Sequence, residues 1–327
     1  MATSELPTRD DVIAAAARIG AHILPTPLIE HPVLNRLTGG RILLKAESLQ
    51  RTGSFKFRGA LNAISQSDRE TYPGGVVATS SGNHAQGVAA AAALCNVPAA
   101  IVMPSDAPPL KIERTRTFGA EVILYDRASE DRVAIAKDVC ASRQADFVHP
   151  FDDPRVMAGQ GTVGLEIVEQ SAAGDASPDQ VLVCCAGGGL LSGITLAVKA
   201  ASPQTTVHPV EPAGFDDFAR SLAAGVRQQN TQRAGSLCDA LLVEQPGELT
   251  FAVAKMHCSP GIVVTDAEAC DAVRFAFREL KLVLEPGGAV ALAAVLTGKV
   301  ETADKTIVCV LSGGNADPAI YAKILSE

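Results

Sequence analysis

Tryptophan is missing from the 327 residues, and the aromatic fraction is only 4%. Scarce aromatics beside abundant Ala, Val, Leu, Ile and Gly fit layers of parallel strands and helices. The eight cysteines include no C-x-x-C pair and no Cys/His cluster with zinc spacing, so Cys184 and Cys185, inside an apolar run, read as reduced core thiols. Basic residues are in deficit. The net charge of -8 leaves no concentrated positive patch for nucleic acid or an anionic membrane surface, and the most basic stretch, Lys111 to Arg116, is interrupted by Glu113 and reads as a solvated helix face. No apolar run approaches the roughly 20 residues needed to cross a bilayer. The opening Met-Ala-Thr-Ser-Glu lacks the basic-then-apolar start of an export signal, so a cytoplasmic protein is expected. No internal repeat or low-complexity segment is evident.

What is present is a chain 47% apolar and 20% charged, long enough for a substantial core in one or two domains. From Thr8, an N-cap residue, acidic first-turn residues and an alanine run predict a first helix. Several β-rich runs then lead through Gly- or Ser-rich turns into helical patterns. The clearest are 75–79 before Ser80-Ser81-Gly82-Asn83, and 180–185 before Gly187-Gly188-Gly189. A third run, 305–311, ends in Ser312-Gly313-Gly314-Asn315. Repeated strand-turn-helix units imply an α/β fold with parallel sheet and right-handed crossovers, in which ligands collect at the carboxyl ends of the strands. The stretches 171–180 and 225–235 read as exposed loops.

Three segments carry candidate chemistry. Gly187-Gly188-Gly189-Leu190 offers bare amides at a helix start, which suit a phosphate, although a tight backbone turn explains three glycines equally well. The turn has no Lys-Ser/Thr and no G-x-G-x-x-G spacing, so ATP and NAD fit poorly. Ser80-Ser81-Gly82-Asn83-His84 puts hydroxyls and free amides at another helix start, suiting a carboxylate or simple N-capping. Lys56 stands between Phe55 and Phe57, an arrangement that could desolvate its amine; an ordinary solvated lysine is the plainer alternative.

Taken together and in order, these segments resemble a known family. Ser48 to Ala60 around Lys56, Ser81 to Gly87, Ala186 to Leu190, Glu285-Pro286-Gly287-Gly288-Ala289 and Ser312 to Asn315 are similar to the fold type II pyridoxal phosphate (PLP) enzymes, in particular the serine/threonine dehydratase, serine racemase and 3-hydroxyaspartate dehydratase group. The resemblance implies a tryptophan synthase β-like architecture of two open, mostly parallel sheets with flanking helices. Residues 1–74 and 153–327 would form a large PLP-binding domain, and 75–152 a small domain that closes on substrate.

The resemblance also implies roles. Lys56 would carry PLP as a Schiff base and move the α-proton, Asn83 would bond the cofactor's phenolic oxygen, and the amides of Gly187, Gly188, Gly189 and Leu190 would hold its phosphate. Ser312 would face the pyridine nitrogen, a neutral partner suited to β-elimination. The substrate carboxylate would rest on Ser80, Ser81, Gly82, Asn83 and His84, and loss of the β-hydroxyl, with the cofactor phosphate as proton donor, would give a 2-oxo acid and ammonia. Ser81 also matches the opposite-face acid/base of serine racemases, which opens racemisation as a second activity. A PLP-binding regulatory protein without turnover is a third reading, opposed by the retention of the whole motif set. Glu211, Phe215 (through its carbonyl) and Asp217 match a divalent-cation segment suited to Mg²⁺ or Ca²⁺. Two departures bear on pocket width: Ala186 replaces the first glycine of the usual four, and Ala240 stands where glycine is frequent. Arg132 and His149 correspond to positions at the active-site mouth, with a surface arginine and a structural histidine as the plainer readings. A homodimer acting on serine, threonine or 3-hydroxyaspartate is expected.

Overall fold

Alternating strand and helix patterns fold here into two sheets, seen in a computed structural model that describes residues 5–107 and 109–327. The opening Met-Ala-Thr-Ser therefore lies outside the described residues. In chain order the strands are β1 (Leu28–Glu30), β2 (Arg41–Ala46), β3 (Val76–Thr79), β4 (Ala99–Pro104), β5 (Glu121–Tyr125), β6 (Asp146–Phe147), β7 (Gln180–Cys184), β8 (Thr206–Pro212), β9 (Ile262–Val264) and β10 (Thr306–Leu311). One sheet runs β1-β2-β10-β7-β8-β9, the other β5-β4-β3-β6. Among the strands of the described residues, only the β1–β2 pairing is antiparallel. The expected α/β architecture of two mostly parallel sheets is what forms.

The first helix, Arg9–Ile19, is fixed by a capping box in which Thr8 and Asp11 satisfy each other's backbone amides. The central strands are apolar on both faces because helices cover both. The helix Pro286–Leu296 is apolar around its whole circumference and buried along nearly all of its length, as such a helix must be. The core of the smaller sheet also recruits Phe57, Leu61 and Ile64 from the helix Lys56–Ile64 and Val156 from the helix Pro154–Ala173.

Register brings the functional turns together. Lys45 and Val183 both pair with Val310, so β2, β10 and β7 end side by side and release Glu47, Ser312 and Cys185 at one edge. Beneath that edge lies an ion network. Arg58 donates to Glu47 (2.8 Å) and Glu166 (2.6 Å), Lys45 to Glu166 (2.6 Å), and Arg58, Lys45 and Glu47 are fully buried. Two cations facing two carboxylates leave no charge unpaired, the condition under which burying them is tolerable. The network clamps the helix that begins at Lys56.

The two stretches expected as loops are largely irregular and exposed, each with an exception. Ser171 is buried in the last turn of the helix Pro154–Ala173 rather than opening a loop, because the apolar helix pattern runs past it. The stretch 225–235 is irregular, but its Asn230 is buried against Asp217.

Candidate active site

Lys56 is the first residue of the helix Lys56–Ile64. Its amine is desolvated, which pushes its pKa from 10.5 down to about 8. The positive end of its own helix acts in the same direction. Nζ donates to the Pro150 carbonyl at 2.7 Å and lies 5.1 Å from the Phe55 ring. Phe57, two positions along a helix, points away into the core, so one aromatic flanks the amine and not two.

Backbone bonds stitch the lysine segment to the turn after β10. Phe55 N donates to Ser312 O (3.2 Å), Gly314 N donates to Gly53 O (2.9 Å), and Ser54 bridges Gly313. Ser312 is 5% exposed. The Ser54 hydroxyl is buried without a partner.

The turn after β3 meets this seam from the smaller sheet. Asn83 begins the helix Asn83–Cys95 and its amide is held from both ends: Nδ2 donates to Glu285 at 2.5 Å, and Oδ1 accepts from Asn315 at 2.8 Å. Burial pushes the Glu285 carboxyl up to about 7, opposed by the nearby Lys111 charge. Ser80 Oγ accepts from Gly82 N (3.1 Å), and Ser81 is half-buried beside it. Burial, helped by the Lys56 charge, pushes His84 down to about 3. Its neutral ring donates through Nε2 to Val148 O (3.0 Å), leaving Nδ1 a buried acceptor without a partner. The His84 side chain thus faces Val148, and its contribution to the turn is its backbone amide.

The glycine loop between β7 and the helix Gly189–Ala201 lies beside the Pro150 segment. Gly188 adopts φ +92° and offers no side-chain cap, so the first amides of that helix keep their donors free in a buried place. A Cβ on Gly187 would come within 2.4 Å of the Phe151 ring, and one on Gly188 within 2.4 Å of the Phe218 ring. Only glycine leaves these amides bare, which suits a phosphate. Orphaned donors here and the unpartnered Ser54 hydroxyl beside a buried amine fit a cofactor carrying an aldehyde, a phosphate and a polar ring.

Glu211, in β8, and Asp217, the first residue of the helix Asp217–Ala224, lie apart from this seam. Both Glu211 oxygens accept backbone amides, from Phe218 (2.9 Å) and Ala219 (2.7 Å), while Asp217 Oδ2 is buried without a partner. Burial and their mutual repulsion push Glu211 well above the carboxylate range, and burial lifts Asp217 to about 7. A buried acidic pair with a spare oxygen is a donor set that a hard cation would stabilise.

Several site residues escaped the sequence. Glu285 and Asn315 belong to recognised motifs, yet nothing in one dimension shows that they hold Asn83. Lys111 is not solvated: it is buried, bonds Asp239 at 2.8 Å, and lies 3.4 Å from where a Gly82 Cβ would be. Arg132 is an exposed helix-start residue. His149 shapes a turn by accepting Asp152 N at 2.8 Å, next to the segment that meets Lys56. Ala240 packs near Gly287, at the wall beside Glu285.

Comparison with known proteins places these features in a lineage. Residues 19–313 match the model of a family described as pyridoxal-phosphate dependent enzyme. The chain is 40% identical over 320 residues to an L-threonine ammonia-lyase of Thermotoga maritima, covering 98% of this chain and 78% of that one. It is 39% identical over 321 residues to an L-threo-3-hydroxyaspartate ammonia-lyase of a Pseudomonas species, covering 98% and 99%. The structure of maize serine racemase superposes with a TM-score of 0.92 at 35% identity, covering 98% of each chain.

Proposed function

Because the chain belongs to the family of pyridoxal-phosphate-dependent enzymes, we propose that it is an ammonia-lyase that converts small β-hydroxy α-amino acids to a 2-oxo acid and ammonia. The observation that carries this reading is the desolvated Lys56 amine, with a pKa of about 8, at the meeting point of three turns. The ammonia-lyase relatives at 40% and 39% identity, named for L-threonine and L-threo-3-hydroxyaspartate, support the substrate class, to which the proposal adds serine.

Bound PLP supplies an aldehyde for attachment and a ring that withdraws electrons from the substrate's α-carbon. Lys56 is the residue to hold it, with the free amides of Gly187, Gly188, Gly189 and Leu190 receiving its phosphate, and Asn83 and Ser312 its ring. The Lys56 amine would also be the base that takes the substrate's α-proton; its lowered pKa leaves a useful fraction neutral near pH 7.5. Asn83 is held in one orientation by Glu285 and Asn315, so its donor is fixed before substrate arrives. The turn 80–84, at the positive end of the helix Asn83–Cys95, orients the substrate carboxylate. The β-hydroxyl would leave as water, its added proton balanced by the α-proton taken at Lys56, and a second water would hydrolyse the resulting enamine to the 2-oxo acid and ammonia.

Within the same proposal, 75–152 forms a small domain closing on 1–74 and 153–327, because all four strands of the smaller sheet fall inside it. Glu211, Asp217 and the Phe215 carbonyl bind Mg²⁺ or Ca²⁺, supported by the unpartnered Asp217 oxygen. A cytoplasmic homodimer completes the proposal; no helix among the described residues is long and apolar enough to cross a membrane. Racemisation is a second reading, favoured by Ser81 beside Asn83 and by the likeness to serine racemase. The test is a panel of L- and D-serine, L- and D-threonine and the 3-hydroxyaspartate isomers, with and without Mg²⁺, read for 2-oxo acid, ammonia and chirality. Equal release of 2-oxo acid and ammonia is expected. Chiral inversion without 2-oxo acid would replace the lyase reading with the racemase one.

A further inference from the structure

The helix Glu248–His257 begins at Gly247, which has no side chain to cap it. Its first three amides nevertheless have one shared acceptor. Glu248 N donates to Asp152 Oδ2 (2.9 Å), and Leu249 N and Thr250 N donate to Oδ1 (2.9 and 3.2 Å). The cap is supplied by a carboxylate 96 residues earlier in the chain. Gly247 is bare for that reason, since a Cβ there would lie 2.3 Å from Asp152 Oδ1.

The same helix start also grips the glycine loop. Thr250 Oγ1 donates to Gly187 O at 2.6 Å, Gly247 N donates to Gly187 O at 3.2 Å, and Ser192 Oγ donates to Thr250 O at 3.0 Å. On the other side, Asp152 ends the short segment whose Pro150 carbonyl receives the Lys56 amine and whose Phe151 ring walls Gly187. The neighbouring Asp153 caps a different helix, through Arg155 N (2.7 Å) and Val156 N (3.4 Å). Two adjacent aspartates thus tie one segment to two helices, and only the tie through Asp152 reaches the glycine loop.

We propose that Asp152 is a positioning residue for PLP: through the first turn of the helix Glu248–His257 it locks the Lys56-facing carbonyl of Pro150 to the phosphate-receiving loop at Gly187. Losing it loosens the distance between the point of covalent attachment and the phosphate cradle while removing none of the groups that touch the cofactor. This inference rests on the proposed PLP site.

The test compares wild type, Asp152→Ala, Asp152→Asn and Gly247→Ala for PLP affinity, for the visible circular dichroism of the bound cofactor, and for urea midpoint. Asp152→Ala is expected to weaken PLP about tenfold, the size of one lost helix cap, and to diminish the dichroic band. Asp152→Asn keeps an accepting oxygen and should restore affinity to within about threefold of wild type. Gly247→Ala strikes the same contact from the other side, crowds Thr250 Oγ1 at 2.7 Å as well, and should reproduce the loss, with the double variant no worse than Gly247→Ala alone. Wild-type affinity and dichroism in Asp152→Ala would overturn the proposal. Should that variant not fold, unchanged PLP binding by Gly247→Ala overturns it equally. Failure of the wild-type protein to take up PLP would instead strike the proposed function.

Discussion

Lys56→Met in the cofactor-free protein exposes the energetics of the reacting amine. Depression of the pKa from 10.5 to about 8 means that burial makes the charged form less favourable by about 3 kcal/mol. Methionine fills similar space without that charge but gives up the bond to the Pro150 carbonyl, worth about 1 kcal/mol. The variant should therefore be about 2 kcal/mol more stable than wild type near pH 7.5. The sign with pH follows from linkage. Between about 8 and 10.5 the unfolded chain binds more protons at this lysine than the folded one, so wild-type stability rises with pH across that window, and the burial cost is fully present below it. The gap between variant and wild type should close by about pH 10.5. Urea denaturation at both pH values measures it. Competitive labelling of the Lys56 amine across the same range gives its midpoint directly; near pH 7.5 it should be ~200-fold richer in neutral amine than an ordinary lysine. A labelling midpoint above about 10, or a variant no more stable near pH 7.5, would refute the reasoning.

Other perturbations probe separate parts of the site. Gly188→Ala forces a Cβ into φ +92° and against Phe218, and should cost about 2 kcal/mol in urea denaturation while weakening PLP binding measured by dialysis. Arg58→Met leaves Glu47 and part of Glu166 buried without a cation, and should cost about 3–5 kcal/mol by the same denaturation assay. Ser81→Ala should abolish any D/L interconversion seen by chiral chromatography while L-isomer elimination persists. Asp217→Asn should remove the rise in Tm that Mg²⁺ gives wild type in a thermal scan; an unchanged rise would move the cation elsewhere.

Much of this was legible in one dimension because it is local. Thr8 with Asp11 reads as a helix start, and strands ending in Gly- or Ser-rich turns read as a parallel sheet with ligands at one edge. The lysine, asparagine, glycine and serine motifs were visible as words. What connects them was not, because it depends on residues far apart in the chain. Glu285 reaches Asn83 across 202 positions, and Asp152 caps a helix 96 positions on. Lys111 looked solvated because Lys, Glu and Arg alternate around it, yet packing buries it against Asp239. The second phenylalanine beside Lys56 misled for a simple reason: adjacency in sequence is not adjacency on a helix.

The covalent link at Lys56 is the point on which the account stands. Wild-type protein loaded with PLP, reduced with borohydride, digested and analysed by mass spectrometry should carry the pyridoxyl group on the peptide containing Lys56, and Lys56→Ala should carry none. Labelling of a different lysine, or equal labelling in the variant, would contradict it.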